Sequence, residues 1–363
     1  MKFRLLSIVT ACFVLFSFAG CKANEVATNP DLSSETASEA TSSNSKSAIE
    51  TGDGIINPLT GIKGLSESAV GKRPVAIMIN NISVAQDIQA GLSKADIIYE
   101  AYAEGGITRL LAVFKDVNNM PRVGSVRSAR YSYVDLAMGH DAIYTHAGKN
   151  KTQCEPYMAS QKLDNFDLNS GTTSAYGFRV QNGKSSEHTL YTDGKTLSKG
   201  YTDLKWRTTL NKEEALWQNF VDENSPVTPN GGTCTDLSVK MSGAYISNFK
   251  YDSASGKYIR SNGKNVQKDY NDGSTVSFKN VLVLKTTVTP FANDPTNVVK
   301  THLEGGDGYY VSNGGYVAIK WSKGAASNPL KITLSDGSAV SYNAGNTFVC
   351  LVDKNNAVDI KAN

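Results

Sequence analysis

The hydrophobic and polar positions of this 363-residue chain change character several times along its length. Behind a polar amino-terminal segment, the runs RPVAIMIN, ADIIYEAYAE and ITRLLAVFKD are apolar enough to form buried strands. The stretch SARYSYVDLAMG follows with helical spacing, with Ser125 or Ser128 as its N-cap and Gly139 as its stop, and DAIYTHAG returns to a strand pattern. This order of elements predicts a mixed α/β domain over residues 57–224.

The pattern changes again after residues 224–232, where Asn, Pro and Gly mark a domain boundary. Beyond it, short alternating runs are separated by Ser-Gly, Asn-Gly and Asp-Gly turns, which is typical of antiparallel strands. We therefore predict a second, mostly antiparallel β domain over residues 233–363. Before the boundary, CEPYMASQKL and NKEEALWQNFVDE each predict a further helix.

The amino terminus has the pattern of an export signal. Lys2 and Arg4 precede an apolar run that ends in small residues at Cys21, which predicts a signal peptide over residues 1–20. The sequence FAGC at its end resembles the lipobox of bacterial lipoproteins, so we expect Cys21 to be lipidated; an ordinary secretory signal with an incidental cysteine is the alternative. Residues 21–56, rich in Ser, Thr, Ala and Glu, predict a disordered stalk.

Charge and motifs narrow the classes of partner. Removal of residues 1–20 leaves 35 basic and 34 acidic residues, which lacks the positive excess typical of a nucleic-acid-binding protein. The H-E-x-x-H, G-x-S-x-G, paired C-x-x-C and Walker A motifs are absent, so we expect neither a cofactor nor a metal site. The predicted location is the outer face of the cytoplasmic membrane, held by the lipid as in Gram-positive bacteria.

Gly105-Gly106, between two of the predicted strands, is a strong signal for a two-residue hairpin. With that loop, the alternation of strand residues puts Glu100, Tyr102, Glu104 and Arg109 on one face. This face is either a solvated surface of ion pairs or one wall of a site.

The stretch RVGSVRSARYSYVDL places Arg127 and Arg130 where a helix is expected to begin. A helix start has free backbone N–H groups and the positive end of the helix dipole, so two cations there require a neighbouring anion. A bound phosphate or carboxylate would serve, and so would the hairpin carboxylates of Glu100 and Glu104. Both alternatives remain open on the sequence alone.

Two histidines could lie in the same cleft. His146 ends the strand AIYTH, and the carboxyl end of a parallel strand is where open α/β sheets bind ligands. His188 follows Arg179 in a segment rich in loop residues.

Several motifs, namely RPVAIMINN, GLSKADIIYEAYAEGGITRLLAVF, GSVRSARYSYVDLA, DAIYTHAG and GNTFVCLVD, resemble those of the YerB-like bacterial lipoproteins, the DUF3048 family with its N- and C-terminal parts. The resemblance implies a three-layer β-β-α arrangement for the body and a role in the cell envelope, with no established reaction. It points to these ligand-binding candidates: Asn81, Glu100, Glu104, Arg109, Arg127, Arg130, His146, Arg179 and His188. His188 departs from the family pattern, because it stands in Glu-His-Thr where Pro-His-Asn is usual.

Our first functional hypothesis is a binding or scaffold protein whose arginine-rich cleft holds an anionic cell-wall component or an envelope protein. It requires no nucleophile, and the sequence favours a protein that is not an enzyme. The alternative is an extracellular hydrolase or transferase on a phosphorylated or glycan wall substrate, with Glu104 or Glu100 as acid or base and His146 as its partner. A third hypothesis is carbohydrate binding by aromatic residues of the β half: Tyr245, Tyr251, Tyr258, Tyr309, Tyr310 and Trp321.

Overall fold

The computed structural model describes residues 54–211 and 219–362. The predicted signal peptide, Cys21, nearly all of the predicted stalk and most of NKEEALWQNFVDE lie outside these ranges. The described chain is already paired at Ile55–Ile56, inside the last residues assigned to the stalk. Among the described residues, no helix is both long and apolar enough to cross a membrane.

The first described range contains ten strands and three α-helices. In chain order they are β1 (Ile55–Ile56), β2 (Lys63–Leu65), β3 (Val75–Asn80), β4 (Ile97–Glu104), β5 (Ile107–Phe114), β6 (Val123–Gly124), α1 (Tyr131–Gly139), β7 (Ile143–His146), α2 (Cys154–Gln161), β8 (Asn165–Asp167), β9 (Phe178–Arg179), β10 (Leu190–Thr192) and α3 (Gly194–Leu204). Short 3₁₀ turns lie at Glu67–Ala69, Ser83–Ile88, Leu92–Lys94, Thr172–Tyr176 and Ser186–His188.

The second described range consists of strands and their connections. In chain order they are β11 (Asn219–Phe220), β12 (Gly232–Thr233), β13 (Asp236–Lys240), β14 (Ile246–Asp252), β15 (Lys257–Asn262), β16 (Asn265–Val266), β17 (Ser277–Phe278), β18 (Asn280–Thr286), β19 (Val288–Pro290), β20 (Val299–Thr301), β21 (Gly305–Ser312), β22 (Gly315–Ser322), β23 (Lys331–Leu334), β24 (Ser341–Tyr342), β25 (Thr347–Asp353) and β26 (Val358–Lys361). The mixed α/β class with a β-rich second part is therefore confirmed.

An eleven-stranded mixed sheet is the centre of the fold, with the order β12-β22-β21-β18-β25-β4-β5-β3-β7-β8 and β23 paired to β22. Its middle joins the two predicted halves, because β25 pairs in parallel with β4, Phe348 opposite Ile98. The predicted boundary segment at residues 224–232 leads from β11, which pairs with β24, to β12 at the edge of this sheet.

The two faces of this sheet pack against different elements. One face contributes Tyr102 and Phe348 to a core shared with Phe249 and Phe278 of the six-stranded antiparallel sheet β16-β15-β14-β13-β26, to which β17 is added. The other face packs against the two helices α1 and α2. In the middle of the sheet, at β3, β4, β5 and β25, both faces are buried, so a charged side chain there needs a partner. The three-layer arrangement that the resemblance implies stays a prediction.

Helix α1 starts later than predicted. It begins at Tyr131 with Arg130 as its N-cap and with no side-chain cap, so the expected caps Ser125 and Ser128 were wrong. The residues before it are extended, because the backbone N–H of Arg127 donates to Met78 O and that of Ala129 donates to Gly148 O. The predicted stop is confirmed, since Gly139 is the last helical residue.

Helix α3 was not predicted, because its sequence GKTLSKGYTDL contains two glycines. Asp193 caps it by accepting a hydrogen bond from the Thr196 backbone N–H at 2.8 Å. Gly200 lies against an aromatic ring: a Cβ at this position would come within 2.6 Å of Phe166 Cε1. The glycine therefore permits close packing that a sequence pattern does not reveal.

The hairpin forms at Gly105-Gly106 as predicted, and Glu104 pairs with Ile107. A bulge between Tyr102 and Glu104 then shifts the register by one residue, so Glu100 lies opposite Leu110 and Arg109 opposite Ala101. A one-residue shift reverses the face of every later residue. The predicted common face was therefore wrong: Glu100 and Tyr102 lie on one face, and Arg109 lies on the other.

Candidate functional site

The sequence-predicted site residues fall into separate groups. Glu104, Arg109 and Arg130 form a cluster beside α1, here called the Glu104 triad. Asn81 and Glu100 belong to a buried network on the opposite face of the sheet. Arg127 and Arg179 line a cavity, and the two histidines are buried near it.

The Glu104 triad is a closed set of ion pairs. Arg130 donates from Nε to Glu104 Oε2 at 2.6 Å and from Nη2 to Oε1 at 2.9 Å, and Arg109 Nη2 donates to Oε1 at 2.9 Å. A second guanidinium nitrogen of each arginine donates to a backbone carbonyl just before α1, Arg109 Nη1 to that of Ser128 and Arg130 Nη1 to that of Ala129. Of the two helix-start arginines, Arg130 pairs with Glu104, and Arg127 pairs with Glu187.

The surroundings of the Glu104 triad keep its carboxyl group and its guanidinium groups ionised. Burial alone would raise the pKa of Glu104, but the charge of Arg109 and the hydrogen bond and charge of Arg130 outweigh it, and the pKa lies below its usual value. Burial, with the neighbouring Arg130, lowers the pKa of Arg109 to about 10, so its guanidinium stays protonated at neutral pH. A carboxylate held this way is a poor general acid at neutral pH.

Glu100 is the centre of the second group, which we call the Glu100 network. Its side chain is 1% exposed, and Oε2 lies 3.1 Å from Arg260 Nη2 and accepts from Ser247 Oγ at 2.5 Å. Its other oxygen accepts from Thr108 Oγ1 at 2.8 Å and from Asn81 Nδ2 at 3.1 Å.

The Glu100 network continues across the interior. Arg260 is fully buried and donates to Gln267 Oε1 at 2.5 Å, and Gln267 donates to Gln89, which in turn donates to Asn81 Oδ1 at 3.2 Å. The network therefore ties β4 and the segment after β3 to β14 and β15. Two of the family motif positions, Asn81 and Glu100, join the two parts of the chain.

A cavity of about 530 Å³ opens at the carboxyl ends of β7 and β8. The parallel pairing of β7 with β3 and with β8, which the prediction for His146 assumed, is confirmed. Four cationic side chains line it: Arg127, Lys149, Lys151 and Arg179. Three acids, Glu155, Asp167 and Glu187, also line it. We call it the basic cavity.

Both arginines of the basic cavity are held by residues 186–189. Arg127 donates from Nη2 to Glu187 Oε2 at 2.9 Å and from Nη1 to Glu187 O at 3.3 Å. Arg179 donates from Nη1 to Thr189 Oγ1 at 3.0 Å and to Ser186 O. Glu187 is more than half exposed, so solvent screens its ion pair with Arg127.

Asp167, at the end of β8, organises the floor of the cavity. It accepts from the backbone N–H of Gly148 at 2.7 Å and of Asn169 at 3.1 Å, and Lys149 Nζ lies 3.2 Å from its Oδ2. Burial would raise the pKa of Asp167, but the Gly148 N–H and neighbouring positive charge outweigh it, and the pKa is lowered. Sequence reasoning missed Lys149, Lys151 and Asp167, although HAGKNK directly follows a strand whose carboxyl end was expected to bind ligand.

The histidines support the cavity wall and do not line it. His146 is fully buried, with Nδ1 2.9 Å from Gly148 O and Nε2 3.0 Å from Asn165 Oδ1, and burial lowers its pKa. His188 is 3% exposed, its Nδ1 lies 2.8 Å from Asn80 Nδ2, and burial lowers its pKa as well. In the described structure, neither histidine contacts Glu100 or Glu104.

The aromatic residues considered for carbohydrate binding are mostly core. Tyr258, Tyr310 and Trp321 are at most 3% exposed. Tyr245, Tyr251 and Tyr309 are partly buried and pack against the core that contains Tyr258.

Comparison with known sequences places these motifs in a family. Residues 59–207 match the N-terminal domain, and residues 237–349 the C-terminal domain, described as protein of unknown function (DUF3048). The chain belongs to the DUF3048 family. The two matched stretches lie on either side of residues 224–232, and strands from both of them pair in the central sheet.

Two comparisons involve a protein of Bacillus subtilis. The chain is 25% identical over 361 residues to "Putative lipoprotein YerB" of Bacillus subtilis (strain 168), covering 98% of both chains. The crystal structure of the YerB protein from Bacillus subtilis matches with a TM-score of 0.69 at 24% identity, covering 84% of this chain and 99% of that one. The likeness between the two structures concerns the fold.

Proposed function

We propose that this protein is a membrane-anchored lipoprotein of the cell envelope that binds an anionic wall component in the basic cavity. The observation that carries the proposal is a 530 Å³ cavity with four cationic side chains at the carboxyl ends of parallel strands. That edge is where open α/β sheets commonly bind ligands.

The anchoring half of the proposal rests on the amino-terminal sequence. The FAGC stretch ending at Cys21 has the form of a lipoprotein signal, and the Bacillus subtilis relative is named as a lipoprotein. A polar segment of about 30 residues between the lipid and the folded body would have a root-mean-square reach of about 30 Å. Such a tether would allow the basic cavity to meet wall polymers close to the membrane.

The binding half rests on the different roles of the arginines. Arg109 and Arg130 have their charge matched by Glu104 in a nearly closed cluster, so they have little capacity left for a ligand. Arg127 and Arg179 stand at the cavity with partners that are exposed or neutral. Arginine pairs with phosphate and carboxylate through two parallel hydrogen bonds, so an anionic ligand can bind by displacing Glu187.

Binding is better supported than hydrolysis. The proposed acid or base, Glu104, is ion-paired twice, and Glu100 is sealed in its network. His146 has both ring nitrogens within hydrogen-bond distance of protein atoms. These three groups do not line the basic cavity, so they cannot act together on a ligand bound there.

The test is binding of anionic probes to the full chain, purified in detergent, followed by thermal unfolding. The probes are a glycerol phosphate oligomer, a muropeptide, and a neutral chitin oligosaccharide as the uncharged comparison. A ligand at about 100 times its dissociation constant adds about 2.7 kcal/mol to the stability of the state that binds it. We expect stabilisation by an anionic probe and none by the neutral one.

Matched variants locate the effect. Arg127→Gln and Arg179→Gln remove cavity charges, whereas Arg207→Gln removes an arginine that is ion-paired to Asp141 and does not line the cavity. Stabilisation lost in the first two and kept in the third supports the proposal. Equal stabilisation of all variants, or no response to any anion, contradicts it.

Anchoring is tested separately, by metabolic labelling with an alkyne fatty acid in a Gram-positive host. The label should be lost in Cys21→Ser and kept in Cys154→Ser, whose thiol is buried in the fold. Labelling that survives Cys21→Ser would refute the anchor and leave the cavity test unaffected.

A further inference from the structure

The last described strand, β26, forms an edge of the six-stranded antiparallel sheet, because among the described residues it pairs with β13 alone. The backbone N–H of Lys240 donates to Ala357 O, so residue 357 and every second residue after it direct their backbone groups towards β13. Val358 and Ile360 therefore direct their N–H and C=O groups away from the sheet. An edge of this kind can pair with a further strand.

The side chains of β26 form two different rows along this edge. Asp359 and Lys361 are exposed on the outer face of the sheet, and Val358 and Ile360 are partly buried against the core on the other face. Residues 358–362 are each at least partly exposed and include no proline, which would remove a backbone donor. The edge thus offers backbone hydrogen bonds, a row of opposite charges and an apolar row.

The sequence of β26 is complementary to itself in one antiparallel register. When Ile360 lies opposite Ile360 of a second copy, Asp359 of each copy faces Lys361 of the other. The outward backbone groups then match as well, because Ile360 pairs with its counterpart and Val358 with Ala362 of the second copy. A shift of the second copy by two residues would instead place Asp359 opposite Asp359, and like charges directly opposite each other are destabilising.

We propose that β26 is a dimerisation edge, at which a second copy of this chain adds its own β26 in antiparallel orientation through residues 358–362. The dimer has two-fold symmetry, joins two six-stranded sheets into one, and contains two Asp359–Lys361 ion pairs between the copies. About five residues a side is a short interface, well below the 20–30 residues of a stable one, so the dimer is weak and depends on protein concentration. The proposal is independent of the ligand of the basic cavity.

Disulfide trapping suits a weak dimer and tests the register directly. At the proposed contact, residue 359 of one copy and residue 361 of the other form a non-hydrogen-bonded pair, with Cα atoms about 4.5 Å apart, a distance that a disulfide can bridge. Two residues 359, or two residues 361, are offset by about 7 Å along the strands in addition to the strand separation, which is too far for a disulfide. Asp359→Cys and Lys361→Cys should therefore cross-link with each other but not with themselves.

The two full-chain variants are purified in detergent, mixed, oxidised mildly and followed on non-reducing gels. Lys250→Cys is the control for random collision, because Lys250 is exposed on the same face of the sheet but belongs to β14, two strands from the edge. The described native cysteines, Cys154, Cys234 and Cys350, are buried. We expect the mixture to cross-link at least about tenfold faster than either variant alone or the control. Equal rates in all samples, or no cross-link in the mixture, would leave the edge to solvent or to a strand of another protein and overturn the proposal.

A charge exchange tests the two ion pairs without cysteines. Asp359→Lys places lysine opposite Lys361 twice in each dimer, so it should weaken dimerisation about fivefold or more, measured by sedimentation equilibrium in density-matched detergent. Asp359→Lys/Lys361→Asp puts opposite charges face to face again and should restore the dimer. Both positions are exposed, so the fold should tolerate these changes. Dimerisation of Asp359→Lys as strong as that of the wild type, or no recovery in the double variant, would also overturn the proposal.

Discussion

Arg260→Met should be among the most destabilising single substitutions in the folded body. The guanidinium of Arg260 is fully buried, 3.1 Å from Glu100 Oε2, and it lies 4.8 Å from the centre of the Phe348 ring. Methionine keeps much of the length and the apolar contact but removes the charge. Glu100 would then keep three neutral donors, from Ser247, Thr108 and Asn81, and no counter-charge.

The expected loss of stability follows from the Glu100 carboxylate, which the substitution leaves buried without a counter-charge. Removing one partner of a buried ion pair typically costs about 3–5 kcal/mol, because the other charge stays buried without compensation. With a urea m-value of about 3 kcal/mol per molar, a loss of about 3 kcal/mol lowers the unfolding midpoint by about 1 M. The assay is equilibrium urea unfolding of the full chain, followed by tryptophan fluorescence and by circular dichroism.

A second variant distinguishes this reasoning from simple loss of packing. In Glu100→Gln/Arg260→Met both charges are gone, so the double variant should be more stable than the sum of the two single effects implies, by about 1–3 kcal/mol. A cost below about 1 kcal/mol for Arg260→Met, or strictly additive single effects, would refute the claim that this pair joins the two parts of the chain.

Two further predictions concern other parts of the fold. Because the pKa of Glu104 is lowered in the folded state, its ion pairs contribute stability above the ordinary value of 4.5, and this contribution is lost as the pH falls through the lowered folded pKa. Glu104→Gln should therefore lower the free energy of unfolding at pH 7 by about 1–3 kcal/mol. When the melting temperature is measured against pH, the variant should lose less stability than the wild type as the pH falls below 4.5. An equal loss in both proteins would count against the Glu104 triad. Asp193→Ala should lower the free energy of unfolding, measured in urea, by about 0.5–2 kcal/mol, because it removes the cap of α3. Asp193→Asn should lower it less. Equal losses in the two variants would show that the cap hydrogen bond contributes little.

Local signals predicted the elements but not the partners of their side chains. The Gly105-Gly106 turn and the strands on either side were visible in the sequence, because turn glycines and apolar runs act over a few residues. The bulge before Glu104 was not, since it depends on packing from both faces of the sheet. That single residue moved Glu100 away from the arginines and towards Arg260, which is 160 positions further along the chain.

In the candidate site, too, the sequence predicted positions along the chain better than the partners of the side chains. The motif residues Arg127 and Arg179 do meet at one cavity, and the expected parallel strand ending at His146 leads to it. The other charged motif residues, Glu100, Glu104, Arg109 and Arg130, form ion pairs inside the fold. A sequence shows where charges occur but not which of them neutralise one another. Lys149 could have been found from its position three residues after His146. Asp167 could not, because the parallel strand that it ends, β8, was not predicted.

The central claim is that the basic cavity binds an anionic wall component, and the most direct measurement is the dissociation constant of a glycerol phosphate oligomer. It should be measured by equilibrium titration of the full chain, for the wild type, Arg127→Gln/Arg179→Gln and Arg207→Gln. We predict that the double variant binds at least about tenfold more weakly, while Arg207→Gln binds as the wild type does. Equal dissociation constants in all three proteins would contradict the claim.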